Sequence, residues 1–254
     1  MNFSRRQSLK ALSAVAATTS AGGVAVASLP AIRLVVLDVG GTIVQDRGDV
    51  PDALQNAFAK YGITVTPAEI ALWRGASKRE IVRHFVEERS TAKGAAGAAQ
   101  GAAIYADFNA RAIEAYKDVP PIGEAETAFR KLRQSGILLA ATTGFGREIA
   151  ASIFIRFGWE KYFTAIVTSD DVVQGRPSPY MIFHAMEAAR VGNVAEVIAA
   201  GDTPLDLRAG ANAGVRGIVG VLSGASKKER LQPEPHTDIL PSVADLPDLI
   251  ASKY

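Results

Sequence analysis

Three aspartates stand where apolar runs end. Asp38 closes IRLVVLD and is followed by Val39, Gly40, Gly41 and Thr42, whereas Asp202 and Asp206 lie in GDTPLD, directly after a second apolar run. A carboxylate at the end of a buried strand costs free energy unless a cation or hydrogen-bond donors use its charge. One turn of helix brings Asp206 back towards Asp202, and three acids without His or Cys suit a hard cation such as magnesium. Two further pieces suit a phosphoryl group. Thr142, Thr143 and Gly144 offer hydroxyls and a glycine N–H at another strand end, and Arg176 in GRPSP offers a fixed cation for phosphate oxygens. With phosphoryl charge neutralised by magnesium and Arg176, Asp38 is free to attack phosphorus.

The elements that must position these groups follow from periodicity. IRLVVLD, GILLAATT, AIVTSD, VIAAGD and GIVGVL are short runs of aliphatic residues alternating with helix-like segments from Ala31 onward. That pattern predicts an α/β fold with a doubly wound, Rossmann-like parallel sheet, whose ligands bind at the carboxyl ends of the strands. Between about Gln45 and Pro120 there is no comparable strand. PDALQNAFAKYG, TPAEIALWRG, SKREIVRHFVEERS and AIYADFNARAIEAYKD read instead as helices, the second opening on a Thr-Pro cap. The expected organisation is therefore a core of residues 31–44 and 121–254, with a small helical cap, 45–120, inserted after the first strand. Thr91 to Ala103 is an Ala/Gly tract, expected as a floppy or weakly helical connection. PEPHTDILPSVADLPDLIA predicts a last edge strand and a closing helix.

Composition narrows the partners. The chain has 254 residues, 48% hydrophobic and 21% charged, enough for a full core and typical of a globular protein. Arg5, Arg6 and Lys10 are three of the 28 basic residues and lie in a stretch, 1–27, that contains none of the 26 acids. The remainder is close to neutral, and nucleic acid is not an implied partner. The absence of cysteine excludes disulfides and thiolate metal sites. SRRQSLK, the weakly apolar ALSAVAATTSAGGVAVA and the triplet Ala25-Val26-Ala27 resemble a bacterial twin-arginine export signal. The expectation is cleavage after Ala27, a periplasmic or other extracytoplasmic location, and no stable membrane association of the mature chain.

Taken together, Asp38-Val39-Gly40-Gly41-Thr42, Thr143, Arg176 and GDTPLD resemble, in order, the four motifs of the haloacid dehalogenase superfamily. The resemblance implies a magnesium-dependent hydrolase in which Asp38 forms an aspartyl-phosphate. Asp38 and Asp202 would hold the metal with the Gly40 backbone nearby, and Asp206 would support its water shell. Thr142, Thr143, Gly144 and Arg176 would bind the phosphoryl group.

Gly40 departs from the superfamily's phosphatases, which carry there the acid that protonates the leaving oxygen. General acid help is commonly worth about 100- to 10,000-fold. The phosphonoacetaldehyde hydrolase (phosphonatase) branch has a small residue at that place and uses a cap lysine to form a Schiff base. A protonated imine then accepts the electrons of the breaking P–C bond as an enamine. RGASKREIV resembles that branch's cap motif and puts Lys78 at the Schiff-base position, after Gly75 on the substrate side. Arg74 stands where the pattern has methionine, and Ile81 where it has histidine. His84, His184 and His236 read as surface or packing residues, and Trp73 and Phe85 as cap packing. The implied substrate is a small phosphonate or organophosphate cleaved at P–C or P–O. The alternatives are a phosphomonoesterase of phosphoglycolate-phosphatase type and a non-catalytic phosphate- or phosphonate-binding protein. The resemblance also admits a homodimer joined through the caps.

Overall fold

The computed structural model describes residues 31–254, so the export address at 1–27 lies outside the described residues. Six strands form one sheet: β1 (Leu34–Asp38), β2 (Leu138–Thr142), β3 (Phe163–Val167), β4 (Val197–Gly201), β5 (Gly217–Val221) and β6 (Asp238–Leu240). Their order is β3-β2-β1-β4-β5-β6, and every pairing is parallel. The chain thus builds outward from β1 to one side and then to the other. β1, flanked by β2 and β4, is the place where the order reverses and a crevice opens at the carboxyl ends.

Side chains of β1 alternate between two apolar layers. Val35 and Leu37 join one cluster with Phe129, Ile153 and Ile250, whereas Leu34 and Val36 join the other with Met181, Ile182 and Ala213.

The helices are α1 (Asp49–Lys60), α2 (Pro67–Leu72), α3 (Lys78–Arg89), α4 (Gly94–Ala115), α5 (Ala125–Gln134), α6 (Arg147–Phe157), α7 (Tyr180–Ala188), α8 (Pro204–Ala213), α9 (Lys228–Leu231) and α10 (Leu246–Lys253). The first four lie between β1 and β2 and form the cap, packed around Phe58, Phe85 and Phe108; the Phe58 and Phe85 rings meet edge to face at 5.6 Å. α2 begins on a capping box: Thr66 Oγ1 accepts from the Glu69 N–H, and Glu69 accepts from the Thr66 N–H at 2.8 Å. Among the described residues no helix is long and apolar enough to cross a membrane.

The Ala/Gly tract corrects the expectation for it. From Gly94 onward it is the first half of α4, a helix of 22 residues. Alanine is the best helix former, and the small side chains let α4 lie close against α3. The second half anchors the helix through Ile104, Phe108 and Ala112. A β-carbon at Gly101 would meet Val82 Cγ1 at 3.9 Å and Val86 Cγ2 at 4.0 Å, which are ordinary contacts. Gly101→Ala is therefore expected to stabilise the protein by about 0.5–1 kcal/mol, read as a raised urea midpoint. In a floppy connection the same change would leave the midpoint where it was.

Candidate active site

The carboxyl ends of β1, β2 and β4 bring the chemistry together. Asp38, Asp202 and Asp206 are all buried, and one oxygen of each lies within 4.8 Å of the others. Arg176, 4% exposed, reaches into this cluster from the segment after β3. Its Nη2 donates to Asp38 Oδ1 at 2.5 Å and to the Thr142 carbonyl at 3.0 Å, and its Nη1 donates to Asp206.

The three acids are held differently. Asp206 Oδ2 accepts from the Thr203 N–H at 3.0 Å and hydroxyl at 2.6 Å, so with Arg176 on its other oxygen both are committed, and its capping box starts α8. Asp202 accepts from Thr42 Oγ1 at 3.2 Å and from the Ala225 N–H at 2.7 Å. Burial, then the negative charges of Asp38 and Asp206, pushes the Asp202 carboxyl well above its ordinary range. Burial also pushes Asp206 up, with the Arg176 guanidinium opposing it.

Asp38, Asp202 and Arg176 adjoin a cavity of about 60 Å³ between core and cap, lined also by Gly40, Lys78 and Thr143, whereas Asp206 stands behind Arg176. Lys78, the first residue of α3, is only 8% exposed, and its Nζ lies 5.2 Å from the centre of the Phe145 ring and donates to the Ala76 carbonyl at 3.0 Å. Burial lowers its pKa to about 8, with Asp38 pulling the other way. An amine in that range is available as a nucleophile at mildly alkaline pH.

Several contacts fix the lysine over the core. The Lys78 N–H donates to the Gly144 carbonyl at 3.0 Å, and the Gly175 N–H donates to Glu80 of the same helix at 2.8 Å. Arg79 pairs with Asp170 at 2.6 Å. Gly75 has φ +86, and a β-carbon there would stand 2.3 Å from Thr203 Oγ1; one at Gly144 would stand 2.3 Å from the Ala76 carbonyl oxygen. Only glycines permit the cap loop to come this close. Both glycines line the cavity through backbone, at the seam of cap and core.

Thr142 pairs in register with Asp38 and borders not this cavity but a small second hollow, shared with Val36, Met181, Arg176 and Asp206; its carbonyl accepts from Arg176 Nη2. Thr143, next along, lines the cavity and accepts the Phe145 N–H at 3.1 Å. His84 stacks on Trp73 at 4.6 Å in the cap, away from the acids. Trp73 packs in the cap and also borders the cavity, as do Asp46 and Arg74, paired with each other.

Sequence reasoning passed over Tyr116. It follows Ile104, Phe108 and Ala112 at steps of four, so the signal was a hydroxyl on the buried stripe of α4.

Comparison with known proteins gives a consistent picture. The haloacid dehalogenase-like hydrolase model matches residues 32–214. A phosphonoacetaldehyde hydrolase of Bacillus cereus is 32% identical over 210 residues, covering 77% of this chain and 78% of that protein. A phosphoglycolate phosphatase of Cupriavidus necator is 28% identical over 196 residues, covering 75% and 81%. The match spans 33% of the length of a bifunctional phosphonoacetaldehyde hydrolase/aminoethylphosphonate transaminase of Clostridioides difficile. Among solved structures, a phosphonoacetaldehyde hydrolase-like protein of Oleispira antarctica superposes with a TM-score of 0.74 at 24% identity, covering 88% of this chain and 93% of that one.

Removing the cation from so crowded a cluster leaves two buried carboxylates without their partner. Arg176→Ala is expected to lower stability by about 3–5 kcal/mol, measured by urea unfolding. Arg176→Lys, which cannot fork between Asp38 and Asp206, falls between that variant and the native protein.

Proposed function

This chain belongs to the haloacid dehalogenase-like hydrolases, and we propose that it cleaves the P–C bond of a small phosphonate aldehyde by way of a Lys78 imine and an aspartyl-phosphate on Asp38. The observation that carries the reading is Lys78: a buried amine of lowered pKa on the cavity that Asp38 also lines, with glycine where a leaving-group acid would stand.

In this reading the neutral Lys78 Nζ adds to the aldehyde carbon, and water leaves to give a protonated imine. Asp38 then forms an O–P bond as the P–C bond breaks, and the released electron pair enters the imine as an enamine. Protonation of the enamine carbon and hydrolysis free Lys78, and a second water releases phosphate from Asp38. The cap excludes bulk water from the imine while it lasts. Arg176 holds Asp38 in place and offsets negative charge as the phosphoryl group approaches. Thr143 and Gly144 line the same end of the cavity and would receive phosphoryl oxygens.

A buried cluster of oxygen donors fits a hard divalent cation, and burial, with the negative charges of Asp38 and Asp206 added to it, raises Asp202 as it would be raised where a cation is wanted. Asp38 and Asp202 would hold magnesium, with the Gly40 backbone beside them. Asp206, its oxygens already taken, would act through Arg176. Bound there, magnesium would supply charge neutralisation at the phosphoryl group.

A phosphomonoesterase is the second reading, favoured by the phosphoglycolate phosphatase relative. The proposal extends to place: an exported enzyme would act outside the cytoplasm, on whatever small phosphonate or phosphate reaches it there.

Borohydride trapping with phosphonoacetaldehyde and magnesium, followed by peptide mapping, tests the imine. The expected adduct is on Lys78, forms faster as pH rises through about 8 because the amine loses its proton there, and disappears in Lys78→Ala. Turnover of aryl phosphate by Lys78→Ala, with no adduct in the native enzyme, selects the phosphomonoesterase.

The metal reading has its own test in thermal unfolding. Magnesium at about 100 times its dissociation constant should add roughly 2.7 kcal/mol to the native protein. Asp202→Asn should lose that gain and, in chelator, unfold at a higher temperature than the native protein because one of the crowded charges is gone.

A further inference from the structure

With glycine at position 40, no carboxylic acid reaches the departing fragment from that position. The space such an acid would enter is instead faced by Tyr116. A β-carbon built on Gly40 has the Tyr116 hydroxyl as its nearest neighbour, at 3.5 Å, followed by the Phe145 ring at 3.8 and 4.0 Å. Tyr116 is 3% exposed and lines the same cavity as Asp38 and Lys78. The Tyr116 and Phe145 rings meet edge to face at 5.2 Å, and Lys78 Nζ lies 5.2 Å from that same Phe145 ring. Phe145 therefore sits between the hydroxyl and the amine, both of which border the space where substrate would lie. Among the described residues none accepts a hydrogen bond from the Tyr116 hydroxyl, although Tyr116 lines that cavity. A buried phenol usually finds a partner.

We propose that Tyr116 is a catalytic residue whose hydroxyl donates a hydrogen bond to a substrate oxygen outside the phosphoryl group: the departing oxygen of an ester, or the carbonyl oxygen of an aldehyde as Nζ adds to it. The inference rests on the attack by Asp38 in the reading above, and it holds whether or not Lys78 bonds to the substrate. In an ester, the Asp38 O–P bond forms and the P–O bond breaks. The electron pair stays on the departing oxygen, which Tyr116 holds until water protonates it. In an aldehyde, Nζ adds to the carbonyl carbon, the π pair moves to oxygen, Tyr116 holds that oxygen, and the proton lost by nitrogen ends on it. A phenol that donates without giving up its proton helps most where the departing oxygen is most basic. The site thus prefers fragments carrying an oxygen within reach of the hydroxyl.

The test compares leaving groups. kcat/KM is measured for native protein and Tyr116→Phe on p-nitrophenyl phosphate, whose leaving oxygen is weakly basic, and on 2-phosphoglycolate and phosphonoacetaldehyde, whose oxygens are more basic. The expected result is a loss on the second pair larger by roughly 10- to 100-fold than the loss on the aryl ester. The β-carbon contacts at Gly40 are ordinary, and Tyr116→Phe removes the oxygen nearest to that carbon. Gly40→Asp in the Tyr116→Phe background should recover part of the phosphoglycolate rate. Equal losses on all substrates, or no loss on any, overturn the proposal, as does native protein inactive on all three. Phosphate release from esters without a Lys78 adduct overturns only the imine, and the leaving-group comparison still decides Tyr116.

Discussion

Three carboxylates in one dry place repel one another, and the rest of the site is arranged around that repulsion. Arg176 takes an oxygen from Asp38 and another from Asp206 and is itself almost wholly buried. A guanidinium can do this because its donors form a rigid fork, whereas an ammonium is a point charge. What the arginine leaves over is Asp202, supported by a hydroxyl and a backbone N–H, and burial together with the neighbouring acids drives its carboxyl well above its ordinary range. One cation is built in, and the deficit that remains has the character of a cation-binding site. Asp206 shows the division of labour: it starts α8 and anchors Arg176, and so serves the chemistry by holding what touches Asp38.

The second constraint is the contact between cap and core. Lys78 belongs to the cap, yet its backbone donates to the loop after β2, its helix binds the segment carrying Arg176, and its neighbour Arg79 pairs with Asp170. Gly75 and Gly144 let backbone meet side chain and backbone at distances any β-carbon would forbid. The burial that costs the lysine part of its charge is the burial that brings the cap over the cavity beside Asp38. Desolvation lowers an amine's pKa, and in the proposed reaction it would also keep water from the imine.

The five long strands, the edge strand and the helices of the insertion are legible in the sequence, because apolar period and strand-end polarity are local properties. The α/β class and a place among haloacid dehalogenase-like hydrolases follow from them and from four motifs in order. The Ala/Gly tract misled because low complexity is also local: it says nothing of Val82 and Val86 lying across from Gly101, and that packing, with alanine's propensity, makes the tract a helix. At Thr142 the strand end is the expected one, but the contact found there is the carbonyl's with Arg176, and the residue borders a second hollow next to that of the acids.

By itself, then, the order of residues determined which chemical groups exist and on which strand ends or helices they ride, since these depend on neighbours a few positions away. It also marked Gly40 as the missing acid and Lys78 as its companion. Only the tertiary structure decided that Arg176 bridges Asp38 and Asp206, that Lys78 is buried, and that Tyr116 faces the space beside Gly40. Those relations join residues as far as 138 positions apart, and their energies come from burial and charge in a shared cavity, which no local pattern encodes.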